Sequence, residues 1–152
     1  TLVIVGISKI LNRYFAHVPL GGNSDGCDFI GHSSTYEGSK HGLLVDILIR
    51  GKSMNPCLLF DELDKLSETA KGGEIKGILT HLTDSTQNDK FCDKYFSEVE
   101  FNLSRGLYFF TYNDESKIDP ITDCSASILF GSSSSLSLII FNDWDIIKLT
   151  QC

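Results

Sequence analysis

Apolar residues along this chain follow two patterns, short continuous runs and stretches with helical spacing. Cys57–Phe60 and Leu107–Tyr112 are nearly uninterrupted apolar runs bounded by turn-forming or polar residues, which is typical of strands buried on both faces of a sheet. Leu43–Ile49 and Glu74–Leu82 instead place their apolar residues on one face of a helix. Gly77 lies inside the second helix and weakens it by about 1 kcal/mol relative to alanine. The pattern predicts a central strand at Cys57–Phe60.

The beginning of the chain has the same alternation. Thr1–Val5 is a short β-branched run that predicts a strand, Ile7–Phe15 has helical spacing, and His17–Leu20 predicts a second strand. A shorter strand is predicted near Val99–Phe101. Strands that alternate with helices of about ten residues favour βαβ units, so we expect an α/β fold with a parallel sheet and helices on both faces.

Beyond Pro120 the sequence becomes serine-rich, with a block at Ser132–Ser135 followed by the apolar stretch Leu136–Phe141. This stretch is predicted either to add a strand or to pack loosely. We therefore divide the chain into a core, residues 1–121, and a tail, residues 122–152.

Composition and charge restrict the classes of function. The 152 residues carry a net charge of -7, and the 13 basic residues are scattered, so direct nucleic-acid binding is not expected. No apolar stretch approaches the roughly 20 residues that cross a bilayer. The five cysteines lie far apart without C-x-x-C pairs, which favours free thiols in a reducing compartment over metal binding. We expect a soluble intracellular protein, in the cytoplasm or mitochondrial matrix.

Asp61 and Glu62 carry the clearest chemical signal. They follow the apolar run Cys57–Phe60 directly, and open α/β sheets bind their ligands at the carboxyl ends of strands. One carboxylate there can hold Mg²⁺ through water while its neighbour activates an attacking water. The same pattern also occurs where a strand is followed by a helix with acidic residues in its first turn. The pattern alone leaves these two interpretations open.

Several segments around this pair resemble the ATPase module of the Lon family of ATP-dependent proteases. The segment FDELDK resembles that family's LDEIDK, Ile30–Gly38 resembles IRGHRRTYVG, and Asp84–Phe96 resembles DPEQNxxFxDxYL. Leu20–Gly22 matches the family's LGG, and Asn102–Ser104 resembles its DLS. The resemblance covers about Leu2 to Pro120 and implies a P-loop NTPase core of the AAA+ type.

The resemblance also implies roles for individual residues. Asp61 would associate with Mg²⁺, Glu62 would be the general base for ATP hydrolysis, and Asn113 would be the polar sensor near the γ-phosphate. Tyr36 would line the central pore of a hexamer and grip unfolded protein substrates. Without the resemblance, Asn113 would be interpreted as a turn former and Tyr36 as a loop residue that packs on its own domain. His32, in the shared GH pair, is expected to be structural.

Two positions depart from the family pattern. Where the family carries GPPGVGKT, Val5–Gly6 continues directly into Ile7, so only Gly6 remains as a candidate cofactor-binding residue of the phosphate-binding loop (the Walker A loop). Cys124 occupies the place of an arginine that acts in the neighbouring subunit's site. Either the protein lacks the loop and is degenerate, or the loop exists in the full protein.

Two functions follow from the resemblance. The first is an ATP-binding and ATP-hydrolysing module, with ATP and Mg²⁺ as cofactors, that couples hydrolysis to unfolding and translocation of protein substrates by a hexamer. The alternative is a degenerate AAA+ scaffold or regulatory fragment that no longer binds nucleotide. The Ser and Lys pair of the family's peptidase belongs to a separate domain, so no peptidase site is expected in these residues.

Overall fold

A computed structural model of the chain describes residues 1–21, 25–35, 37–66, 70–113 and 137–141. Its largest element is a four-stranded sheet with the strand order β1-β2-β5-β6. The elements in chain order are α1 Leu2–Ile10, β1 Phe15–Pro19, α2 Cys27–Ile30, α3 Leu43–Gly51, β2 Cys57–Asp61, α4 Ala70–Thr83, β3 Phe91–Cys92, β4 Glu100–Phe101, β5 Leu107–Tyr112 and β6 Ser137–Phe141.

Strand β2 lies between two parallel neighbours. In the register, Val18 of β1 is opposite Phe60, and Phe60 is opposite Phe110 of β5. Strand β6 pairs with the other side of β5 in the antiparallel direction. The carboxyl ends of β1, β2 and β5 therefore meet at one edge of the sheet, which we call the acidic edge because β2 ends there in Asp61.

Both faces of the three parallel strands are covered. Alternate residues of β2 and β5, such as Phe60 and Phe110, enter a large core with residues of α3 and α4. Cys57, Leu59 and Phe109 point to the opposite face, where Ile4 of α1 packs on them. This arrangement confirms the predicted α/β fold with helices on both faces and is consistent with the expected P-loop NTPase type of core.

The predicted strand at Thr1–Val5 is wrong, because this segment forms the first part of α1. A short apolar run does not distinguish a strand from a buried helix by periodicity, and here the helical spacing continues backwards from Ile7. It places Ile4 and Ser8 on the face that is buried. The helix ends earlier than predicted, at Ile10, and Asn12 has the left-handed φ of 51° before the chain enters β1.

The remaining predictions are close to the observed elements. The four main predicted segments are confirmed: two of them form helices α3 and α4, and the other two form strands β2 and β5. The short strand near Val99–Phe101 is β4, which pairs with β3 in a separate two-stranded ribbon. Helix α2 was not predicted, because its four residues lie in a polar, glycine-rich stretch. Among the described residues, no helix has the length and apolar character that crossing a membrane requires.

Candidate active site

Asp61 lies at the acidic edge with both carboxylate oxygens engaged. Its Oδ1 accepts a hydrogen bond from the Thr111 hydroxyl, and its Oδ2 lies 3.0 Å from His17 Nε2. The bond from Thr111 lowers the pKa of Asp61 below its ordinary value, His17 contributes in the same direction, and partial burial opposes them. Asp61 is therefore ionised at neutral pH, and its side chain is 32% exposed.

Glu62 follows in a left-handed backbone conformation, with φ 64° and ψ 49°. This region is uncommon for residues other than glycine and often marks functional sites. The turn directs the side chain across Gly21, where a Cβ atom would overlap Glu62 Oε2. Glu62 Oε1 accepts a hydrogen bond from Lys65 Nζ, and this contact raises the pKa of Lys65.

Thr111 connects the two acidic residues from the neighbouring strand. It follows Phe110, which pairs with Phe60 in the parallel register, and its buried side chain contacts Asp61. The Glu62 backbone N–H donates to Thr111 Oγ1 across 3.3 Å, while the hydroxyl donates to Asp61. One side chain of β5 thus contacts both members of the acidic pair.

Asn113 lies just past the end of β5 and is exposed. Its backbone N–H donates to Asp64 Oδ1 across 3.1 Å, which ties the end of β5 to the 3₁₀ turn Leu63–Lys65 that follows Glu62. The residue itself lies at the same edge of the sheet as Asp61, one position after the end of β5. The structure therefore brings Asp61, Glu62 and Asn113 together, as three residues at one edge.

The described residues fit one part of a Mg·ATP site. Mg²⁺ is usually bound in proteins through one or two carboxylates together with water and substrate phosphates, and Asp61 and Glu62 offer those carboxylates. Gly6 is in the interior of α1, where an added Cβ atom would meet nothing within 4 Å. No glycine-rich phosphate cradle is formed within the described ranges. In the same residues, no group of three or more His, Cys, Asp or Glu side chains could hold a metal ion.

The loop between α2 and α3 is the predicted position of the pore residue. Tyr36 itself lies outside the described residues, and its neighbours Thr35 and Glu37 are exposed. The two ends of the loop meet at the buried Asp93, whose Oδ2 accepts from the Gly42 N–H across 2.8 Å. Gly31, with φ 76°, has no room for a Cβ atom, which would lie 2.8 Å from the Gly42 nitrogen. Cys124 also lies outside the described residues.

Two residues of the acidic edge, His17 and Thr111, were not singled out from the sequence. Their contacts join positions 44 to 50 residues apart, so they depend on the strand register. The sequence does mark Thr111 as unusual, because it places a hydroxyl group in the otherwise apolar and aromatic run LYFFTY. His17 gives no comparable signal, because an exposed histidine on an edge strand is common.

Comparison with known proteins gives a consistent set of relatives, although no family model matches the chain. A Lon protease homolog of Acanthamoeba polyphaga mimivirus is 41% identical over 122 residues, which is 80% of this chain. A peroxisomal Lon protease homolog 2 of Pichia angusta is 37% identical over 118 residues, 77% of the chain. The Lon protease of Clostridioides difficile is 36% identical over 124 residues, 81% of the chain.

These relatives are much longer than the matched region. The chain spans 12% of the mimivirus and Pichia angusta proteins and 16% of the Clostridioides difficile protein. The matched residues nevertheless make up about four fifths of this chain. The similarity supports the Lon family as the family of this chain.

Proposed function

We propose that the chain is part of the ATP-hydrolysing core of a Lon-like, ATP-dependent protease. The observation that carries the proposal is the acidic pair at the carboxyl end of the central parallel strand, held by Thr111 of the next strand. Carboxyl ends of parallel strands are where α/β folds bind nucleotides. The relatives named Lon protease support the same assignment.

In this proposal each residue of the acidic edge has a chemical task. Bound Mg·ATP would supply the phosphoryl group and the cation that offsets its negative charge. Asp61, ionised because Thr111 and His17 bond its oxygens, accepts hydrogen bonds from the water shell of the cation. Glu62 Oε2, the oxygen that lies over Gly21, accepts a proton from the attacking water. The Asn113 amide orients that water or the terminal phosphate.

The proposal extends to the complete protein. Lon-like motors would couple this hydrolysis to unfolding and translocation of protein substrates, with Tyr36 in the pore of a hexamer. The relatives include mitochondrial and peroxisomal proteins, which supports an intracellular location as part of the proposal.

The second candidate is a scaffold or regulatory fragment that binds no nucleotide. The position of Gly6 favours it, because Val5, Gly6 and Ile7 lie in one continuous helix and do not form a loop that could surround a phosphate. Each backbone or lysine contact to phosphate that is absent removes about 1.5–3 kcal/mol. A nucleotide held by the acidic edge alone would bind weakly.

Calorimetric titration of the full-length product with Mg·ATP separates the two candidates. An ATPase core predicts a dissociation constant on the order of micromolar, near -8 kcal/mol, and weaker binding by the Asp61→Ala variant. The exposed Asp28 offers a matched control, since Asp28→Ala removes an equal charge away from the acidic edge. Absence of any binding heat in the unmodified protein would support the scaffold instead.

A further inference from the structure

Thr111 is a polar residue in a strongly apolar environment. It lies between Phe110 and Tyr112 on β5 and is 3% exposed. Buried hydroxyl groups in proteins are nearly always hydrogen-bonded, because an unpaired one destabilises the fold. Both of its contacts lead to the acidic edge and neither leads to the hydrophobic core.

The direction of each hydrogen bond follows from the groups involved. A backbone N–H can only donate, so Glu62 N–H donates to Thr111 Oγ1. The hydroxyl has a single hydrogen, and an ionised carboxylate can only accept, so this hydrogen points to Asp61 Oδ1. Thr111 is thus acceptor and donor at once, a combination that valine, its closest match in shape, lacks.

These two bonds restrict the two groups on which the proposed chemistry depends. The bond to Oδ1 limits rotation of the Asp61 carboxylate, whose Oδ2 is oriented toward His17. The bond from Glu62 N–H holds a residue with the left-handed φ of 64°. Such conformations persist where the surrounding structure holds them in place.

We propose that Thr111 is a positioning residue, whose hydroxyl holds the Asp61 carboxylate and the Glu62 backbone in the orientation that hydrolysis needs. Its catalytic consequence rests on the proposed ATPase function, whereas its effect on Glu62 does not. A merely structural threonine would also stabilise the fold. It would not, however, change turnover at constant substrate affinity.

The first test measures amide hydrogen exchange of Glu62 by NMR in the unmodified chain and in Thr111→Val, Thr111→Ala and Thr111→Ser variants. Thermal unfolding first establishes which variants fold, and the alanine variant gives a second hydroxyl-free protein. We expect exchange at Glu62 to be roughly five- to tenfold faster without the hydroxyl, the effect of losing one hydrogen bond. Thr111→Ser should retain the original rate. Equal exchange rates in all variants would overturn the proposal.

The second test compares ATP turnover in the full-length product. Thr111→Val should lower kcat on the order of 10- to 100-fold, as small misplacement of catalytic groups does, with little change in KM. Thr111→Ser should restore most of the activity. Thr80→Val is a matched control, because Thr80 is exposed and its hydroxyl bonds only a carbonyl of its own helix.

The two tests separate failure of this inference from failure of the proposed function. If the unmodified protein hydrolyses ATP and Thr111→Val has the same kcat, the positioning role is refuted while the ATPase function stands. If the unmodified protein does not hydrolyse ATP, the ATPase function is refuted. The exchange rate of the Glu62 amide then decides by itself whether Thr111 positions the acidic pair.

Discussion

At the scale of single residues, Asp93 and Asp61 are held by different kinds of hydrogen-bond partner. Asp93 is fully buried, and its carboxylate accepts from the N–H groups of Gly42, Tyr95 and Phe96. These three backbone donors offset the cost of burying the polar carboxyl group. Asp61 is held differently, by side chains, and remains partly exposed.

Replacing Asp93 by alanine should destabilise the fold strongly. The change leaves the buried N–H of Gly42 and the partly buried N–H of Tyr95 without their acceptor, and an unpaired buried group costs about 1–3 kcal/mol. We expect a loss of at least about 3 kcal/mol in the free energy of unfolding, measured by urea denaturation. Asp89→Ala, at an exposed position, is the control and should have little effect. Equal stability of the two variants would contradict the assigned role of Asp93.

The cysteines should differ sharply in reactivity. Burial raises the pKa of the Cys57 thiol to about 11, and the thiolate is the form that reacts. Cys92 is exposed. In the native protein at pH 9, iodoacetamide should therefore modify Cys92 and leave Cys57 unmodified, as measured by peptide mass spectrometry. The raised pKa of Cys57 also makes the stability of the fold depend on pH. Below the pKa of the thiol in the unfolded chain, near 9, this contribution to the free energy of unfolding is complete, and it is lost as the pH rises toward 11. Rapid labelling of Cys57 under native conditions would contradict its burial.

At the residue scale, the sequence identifies Asp61 and Glu62 as candidates but does not identify the residues that contact them. Adjacent carboxylates after an apolar run are visible in the chain itself. Thr111 and His17 reach Asp61 only through the alignment of three strands, and a shift of one residue in that register would turn Thr111 to the other face. Pairing between distant segments is not encoded in any local pattern.

At the scale of secondary-structure elements, the long periodic segments were predicted well and the short ones poorly. The predicted type was right for the segments of several turns, which are helices α3 and α4. It was also right for the long apolar runs, which are strands β2 and β5. Thr1–Val5 has only five residues, and the β-branched run that favours a strand also allows a helix when one side packs on a sheet. Tertiary packing of Ile4 determined the outcome.

Replacing two glycines by alanine, one inside α4 and one before α3, should change the stability of the protein in opposite directions. Gly77 is in the interior of α4 with open space around it, so Gly77→Ala should raise the free energy of unfolding by about 1 kcal/mol. Gly42 precedes α3 and is buried, and an added Cβ atom would overlap the Phe29 carbonyl. Gly42→Ala should therefore destabilise the protein, by about 3 kcal/mol or more if the backbone cannot move. Calorimetric unfolding of both variants checks this, and shifts of equal sign would be inconsistent with the packing.

At the scale of the whole molecule, the three parallel strands bring distant parts of the chain to one edge. His17, Asp61 and Thr111 come from separate strands, yet they form a continuous set of hydrogen bonds. The loop that contains Tyr36 is organised independently, through Asp93 and Gly42. In the proposed function, this edge would provide the acidic part of a nucleotide site.

The most direct test of this account is steady-state ATP hydrolysis by the full-length product carrying Glu62→Gln, compared with Glu100→Gln. Glutamine keeps the shape of Glu62 but cannot accept the proton of the attacking water. We predict that kcat falls about 10²- to 10⁴-fold in Glu62→Gln while Mg·ATP binding is retained. Glu100→Gln, at an exposed position of β4, should behave like the unmodified protein. Undiminished turnover by Glu62→Gln would contradict the assignment of the acidic edge as a catalytic site.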